Sequence, residues 1–183
     1  MAGRPDQAHT SFGDDGPAGS AGDGQAPLLL VDVDGVISLY GFEPDQRPPG
    51  RFHNVEGIGH YLSATAGAHL RQLRRHFELV WCTGWEERAN EHLVPALGLP
   101  WQLPHLTFTE PPGVAPRHWK LEAIERRAGP RRPLAWIDDD HTGCQEWASL
   151  RPGPTLLVTT VPARGITDEQ VELLISWAAN PSG

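Results

Sequence analysis

Leu28-Leu29-Leu30-Val31-Asp32-Val33-Asp34-Gly35 decides the fold class: an unbroken apolar run ends in two carboxylates one residue apart and then a glycine. Such a run reads as a strand buried on both faces, the pattern of a parallel sheet covered by helices. An extended chain points residues i and i+2 to one side, so Asp32 and Asp34 are expected to share a pocket while Val33 faces away. Gly35 lets the backbone turn sharply after them. Two close carboxylates repel, and their burial is costly unless a cation or a shared proton compensates. The stretch therefore asks for a metal ion.

Outward from that strand, apolar runs alternate with helical patterns. Further strands are predicted over about Phe77 to Thr83, His105 to Phe108, Pro133 to Asp138 and Thr155 to Thr160, the first spanning Pro27 to Asp32. Helices are predicted near Ser63 to His76, Glu86 to Leu97, Trp119 to Ala128, Thr142 to Ser149 and Asp168 to Ala179. This alternation implies an α/β protein: a three-layer α/β/α, Rossmann-like domain on a mainly parallel five-stranded sheet. The last helix carries its own start signal, Thr167 with Gln170 three residues on, and an inward stripe of Val171, Leu174, Ile175 and Ala178. Residues 37–61, rich in Gly, Pro and aromatics, fit neither period and are expected to form a hairpin or flap beside the end of the first strand.

The chain of 183 residues accommodates one domain, expected over 27–183. Residues 1–26 are rich in Gly, Asp, Ala and Pro, hold Phe12 as their only large apolar residue, and are expected to form a disordered tail. That stretch lacks the pattern of a signal peptide, and no apolar run approaches a membrane span, so a soluble, cytoplasmic protein with no membrane partner is expected. Cys82 and Cys144, the only cysteines, read as packing residues in a reducing compartment. A net charge of −8 argues against stable nucleic-acid binding.

Ligands of open α/β sheets sit beyond the carboxyl ends of the strands, and three predicted strands end in reactive residues. These ends are Asp32, Thr83-Gly84 and Asp138-Asp139-Asp140. Together with Lys120 at a helix start they form four separated motifs, and on these the chain resembles the haloacid dehalogenase (HAD) superfamily of aspartate-nucleophile hydrolases. Asp32-Val33-Asp34-Gly35 is similar to the first motif, Thr83-Gly84 to the second, Lys120 to the third and Asp138-Asp139 to the fourth. Neither gap that carries a cap in this superfamily is long enough here for a full cap domain. The chain thus looks like the small capless type, including the phosphatase domains associated with RNA repair.

Independently of the family, Lys120 is the sole lysine among fifteen basic residues. A compact ammonium suits a crowded phosphate pocket for which a guanidinium fork is too broad. The resemblance implies a magnesium-dependent phosphomonoesterase. Asp32 would attack phosphorus and form an aspartyl-phosphate, and Asp34 would act as general acid and then base. Thr83 and Gly84 would hold the phosphate oxygens with Lys120. Mg2+ would be bound by Asp32, by Asp34 through its carbonyl, and by Asp139 with Asp138 in support, all oxygen donors. Asp140 is expected to cap the following helix.

The partner implied is a phosphorylated substrate, a macromolecule such as a phosphoprotein or a nucleic-acid end. The dehalogenases themselves do without the second acid that Asp34 supplies. An alternative is a non-catalytic phosphoryl-binding or interaction module on the same fold. His118 and His141 lie beside the motifs, yet no His or Cys pair has zinc-ligand spacing. Trp81 reads as core, whereas Trp85 sits past a strand end, where it could stack on a substrate. The tail reading makes one prediction: deleting Met1 to Gly24 leaves the melting temperature and the rate unchanged, and a large loss of either, in melts and assays of the truncated protein, contradicts it.

Overall fold

The computed structural model describes residues 25–109 and 117–181, so almost all of the predicted tail lies outside the described residues. In chain order the elements are β1 (Leu28–Val31), β2 (Ser38–Leu39), β3 (Gly50–Val55), β4 (Ile58–Ser63), α1 (Ala66–Leu73), β5 (Glu78–Trp81), α2 (Arg88–Ala96), α3 (Leu121–Ala128), β6 (Leu134–Asp138), α4 (Gln145–Leu150), β7 (Thr155–Thr159) and α5 (Asp168–Ala179). Strands β5, β1, β6 and β7 pair in that order, all parallel, with Leu30 aligned to Val80 on one side and to Trp136 on the other.

Strand alternation sorts the core into two layers. Leu29, Val31, Trp81, Ala135 and Ile137 pack with Leu70 of α1, Leu93 of α2 and Leu174 of α5. On the opposite face Leu28, Leu30, Val80, Leu134 and Trp136 pack with Leu121 and Ile124 of α3. Asp32 and Asp138 continue the even-numbered rows of β1 and β6, so both reach the strand ends on the α3 side, where Lys120 precedes the first turn of that helix. The predicted α/β/α fold with a mainly parallel sheet is therefore the observed one. The capping box of α5 is also present, the Gln170 N–H donating to Thr167 Oγ1 and the Thr167 N–H to Gln170 Oε1.

The sheet has four strands rather than the predicted five, because the stretch at His105 makes a single bridge to Trp81. The Trp81 N–H donates to the Pro104 carbonyl and the Leu106 N–H to the Trp81 carbonyl. Pro104 has no N–H to continue a ladder, and β5 ends at Trp81. A side chain does the work instead. Buried Asn90 accepts from Trp81 Nε1 at 3.0 Å and from the Leu103 N–H at 2.9 Å, and donates to the Leu103 carbonyl at 2.8 Å.

The irregular stretch after the first motif folds as a second, antiparallel sheet in the order β2, β4, β3. It extends to Ser63, and α1 begins at Ala66 rather than at Ser63 as predicted. Helix α4 likewise starts at Gln145, later than predicted, because Gly143 has a φ of +73° that no right-handed helix accommodates. Among the described residues no helix is long and apolar enough to cross a membrane.

Truncating Asn90 strands three buried polar groups at once. Asn90→Ala is predicted to destabilise the protein by about 3 kcal/mol or more, read as a lower midpoint in urea with an unchanged slope.

Candidate active site

The site lies at the carboxyl edge where β5, β1 and β6 end side by side. From β1 the chain crosses to β5 on one side, and from β6 to β7 on the other, so the crevice between β1 and β6 is the topological switch point of the sheet. Asp32 directly follows β1, its N–H donating to the Ile137 carbonyl at 3.0 Å, and Asp138 ends β6.

Lys120 reaches between them. Its Nζ donates to Asp138 Oδ2 at 2.6 Å and lies 3.1 Å from Asp32 Oδ1, with all three residues buried. Burial alone would lower the pKa of this ammonium, but the charges around it, Asp32 foremost, outweigh that and raise it, so Lys120 is cationic. For Asp32, burial pushes the carboxyl from 3.8 up to about 7, with Lys120 opposing and Asp138 reinforcing the shift. Asp138 is the most heavily bonded carboxylate of the group. Oδ2 also accepts from Trp136 Nε1 at 2.9 Å, and Oδ1 from the Asp140 N–H at 3.1 Å.

Asp32, Asp138 and Asp139 each offer a carboxylate oxygen within 4.8 Å of the others. Only Gly35 permits this approach: with φ +73°, a Cβ there would fall 2.6 Å from Asp139 Cβ. Three carboxylates against one ammonium leave an excess of negative charge on oxygen donors alone, which fits a hard divalent ion such as magnesium. Asp139 Oδ2 accepts from the Tyr40 hydroxyl at 2.6 Å, and that bond, with burial and the nearby carboxylates, lifts the phenol to about 12 and keeps it protonated.

Asp34 stands apart from this group. Its Oδ2 accepts from Trp85 Nε1 at 2.9 Å, and its Oδ1 lies 3.7 Å from His60 Nδ1, a ring nitrogen that is 3.0 Å from Ser38 Oγ. The expectation that Asp32 and Asp34 share a pocket thus becomes two neighbouring carboxylates with different partners. Thr83 is buried beside β1, since the preceding Cys82 N–H donates to the Val31 carbonyl, and Thr83 Oγ1 accepts from the Trp85 N–H at 3.3 Å. Gly84 follows in an exposed position, where a Cβ would lie 3.7 Å from the Trp119 ring.

Other expectations are resolved by their partners. Asp140 does not cap α4: its Oδ1 accepts from the Thr142 N–H at 2.8 Å, closing a local turn ahead of the helix, and these bonds lower its pKa. His141 is buried, pairs with Thr159 Oγ1 at 2.9 Å, and is pushed down to about 4 by that burial, so it is neutral. Neither it nor His118 belongs to the carboxylate cluster. Cys82 and Cys144 are free and buried, and Trp81 is core. The arginines around the end of α3 pair with acids, Arg126 with Glu122, and Arg127 and Arg132 with Glu78. Sequence reasoning missed Tyr40, His60 and Trp136 as partners of the site: Tyr40 meets Asp139 and His60 meets Asp34 only through the folding of distant segments, whereas Trp136 stands two residues before Asp138 on β6, where strand alternation puts both side chains on one face.

A family model described as the HAD domain in Swiss Army Knife RNA repair proteins matches residues 28–171, a span that contains every residue of the cluster. No curated protein matches the chain.

Two substitutions separate the charges of the site. The native metal-free protein holds a proton on Asp32 that the unfolded chain releases between pH 3.8 and about 7, so this residue's contribution to stability falls as pH rises through that window. Asp32→Asn is predicted to raise the melting temperature in chelator, by more at the top of the window than at the bottom. Lys120→Ala leaves the buried Asp138 carboxylate without its cation and is predicted to cost about 3 kcal/mol or more, read in the same melts.

Proposed function

Since the chain belongs to the family of HAD domains in Swiss Army Knife RNA repair proteins, we propose that it is a magnesium-dependent phosphomonoesterase that works through an aspartyl-phosphate. The observation that carries this reading is a nucleophile-type carboxylate, Asp32, set 3.1 Å from a buried ammonium and grouped with two further acids at the switch point of the sheet. Lys120 keeps Asp32 oriented and balances the negative charge that a phosphoryl group would bring. Asp34, whose side chain is half exposed, would protonate a leaving oxygen and then activate water. Thr83 and Gly84 supply donors for the non-bridging oxygens.

Asp32, the Asp34 carbonyl and Asp139 would hold the ion, with Asp138 fixed behind them by Lys120 and Trp136. Bound there, magnesium would offset the repulsion between the carboxylate nucleophile and a phosphate dianion. The family's description favours a phosphorylated nucleic-acid end as the substrate. The acidic chain, net −8, suits a site that engages one terminal phosphate rather than a length of backbone.

The test is phosphate release from an aryl phosphate with and without magnesium, followed by oligoribonucleotides phosphorylated at either end and a phosphopeptide. Turnover is expected to require both the metal and Asp32, and to favour an oligonucleotide end. An active Asp32→Asn protein overturns the mechanism. Magnesium binding with no turnover on any of these substrates points instead to a phosphoryl-binding module.

A further inference from the structure

The loop after β5 adopts a costly backbone conformation at the point where it meets the proposed acid-base group. Glu86 is one of two non-glycine residues with positive φ among the described residues, at +50°, a conformation that costs about 1–3 kcal/mol. The surroundings sustain it. The Glu86 N–H donates to the Thr83 carbonyl at 3.0 Å, and the Glu86 carboxylate accepts from the Phe108 N–H at 2.9 Å, tying the loop to the segment beside β5.

The residue this turn carries into the site is Trp85. Its main-chain N–H donates to Thr83 Oγ1, its ring meets His60 edge to face at 4.6 Å, and its indole N–H donates to Asp34 Oδ2 at 2.9 Å. Indole is a donor and never an acceptor, and the carbonyl-type oxygen of a protonated carboxyl accepts better than its hydroxyl oxygen, so the indole N–H on Oδ2 favours the proton on Oδ1. The nearest ring nitrogen to Oδ1, His60 Nδ1, is 3.7 Å away, beyond hydrogen-bond range, and is engaged with Ser38. Oδ1 is thus the oxygen open to a substrate.

We propose that Trp85 is a positioning residue for Asp34, its indole N–H locking the carboxyl so that Oδ1 alone exchanges the proton with the leaving group. This rests on the phosphomonoesterase reading above. In the first step a bond forms from an Asp32 oxygen to phosphorus, the bond to the leaving oxygen breaks, and the proton on Asp34 Oδ1 passes to that oxygen. In the second, water bonds to phosphorus, the Asp32 oxygen departs, and a water proton returns to Oδ1. Without the indole the carboxyl can rotate and carry its proton on either oxygen, which weakens proton transfer but not attack by Asp32.

The experiment compares wild type, Trp85→Phe, Asp34→Asn and the double variant on two substrates, with magnesium present and melting temperatures recorded. One is 4-nitrophenyl phosphate, whose leaving group needs no proton. The other is an alkyl monoester, an oligoribonucleotide terminal phosphate. Trp85→Phe is expected to lower kcat by about 10-fold or more on the alkyl ester and by less than about threefold on the aryl ester. Added to Asp34→Asn it is expected to lower the rate no further, because it acts through that carboxylate.

Equal losses on both substrates, or losses that multiply in the double variant, overturn the positioning role while leaving the phosphomonoesterase reading intact. Wild-type protein that turns over neither substrate overturns both. Should Trp85→Phe melt at a lower temperature than wild type, Trp85→His, which keeps a ring N–H donor, decides between the two: restored activity on the alkyl ester supports the proposal, and loss equal to that of Trp85→Phe contradicts it.

Discussion

The ion pairs of Lys120 with Asp32 and Asp138 are the constraint around which the catalytic edge is built. Two carboxyls at the ends of adjacent parallel strands cannot both be ionised in burial without a cation, and the two strands cannot be separated without breaking the sheet. The cation must therefore come from the helix that covers that face. Lys120 immediately precedes α3, whose Leu121 and Ile124 pack on the same side of the sheet as Leu30 and Trp136. The packing of α3 thus sets the position of the ammonium, and the ammonium sets how close the strand ends carry their charge. Aromatic rings border the ammonium: Nζ lies 5.3 Å from the Trp119 ring centroid, and the Trp136 indole donates to the same Asp138 oxygen.

Around this pair the site draws on segments that have no other reason to meet. The antiparallel β2-β4-β3 insertion returns its own residues to the carboxylates of two motifs: Tyr40, just past β2, holds Asp139, and His60 of β4 stands beside Asp34. Close approach of backbone makes this possible. Gly35 turns the chain at positive φ against Asp139, its N–H donates to the Ser38 carbonyl, and its own carbonyl accepts from Thr160 Oγ1 at 2.8 Å beyond β7. The insertion is thus joined to the catalytic edge by side-chain hydrogen bonds and by isolated backbone ones, the Tyr40 N–H also donating to the Pro162 carbonyl, rather than by a continuous strand ladder.

What could be read from the chain alone follows from how local each signal is. The apolar run into Asp32, the strand into Asp138 and the Thr167-Gln170 cap are signals within a few residues, and each is found where the chain predicts it. The singular lysine carried information of another kind, a residue choice that only a tight anionic site explains. His105 to Phe108 misled because its apolar character is real and Leu106 is buried in the core, yet Pro104 and the end of β5 deny it a ladder. Asp140 misled because an acid before a predicted helix reads as a cap, whereas Gly143 delays that helix and leaves the side chain to close a turn. The roles of Tyr40 and His60 depend on long-range pairing that no local pattern encodes, whereas that of Trp136, two residues before Asp138 on one strand, is legible from strand alternation.

Five aspartates occupy this edge, and as residue types they are interchangeable. What separates them is the donor that each meets. Asp32 faces an ammonium in a buried setting, and Asp138 is fixed on both oxygens by Lys120, Trp136 and a backbone N–H. Asp139 has a single phenolic donor on one oxygen, Asp34 a single indole donor, and Asp140 spends its bonds on its own turn. A carboxylate with both oxygens fixed serves as scaffold, whereas one with a donor on one side keeps the other for an ion or a proton. On this argument chemistry is distributed along the edge by the hydrogen-bond donors, and the side-chain donors among them, Lys120, Tyr40, Trp85 and Trp136, come from outside the motifs that contain the acids.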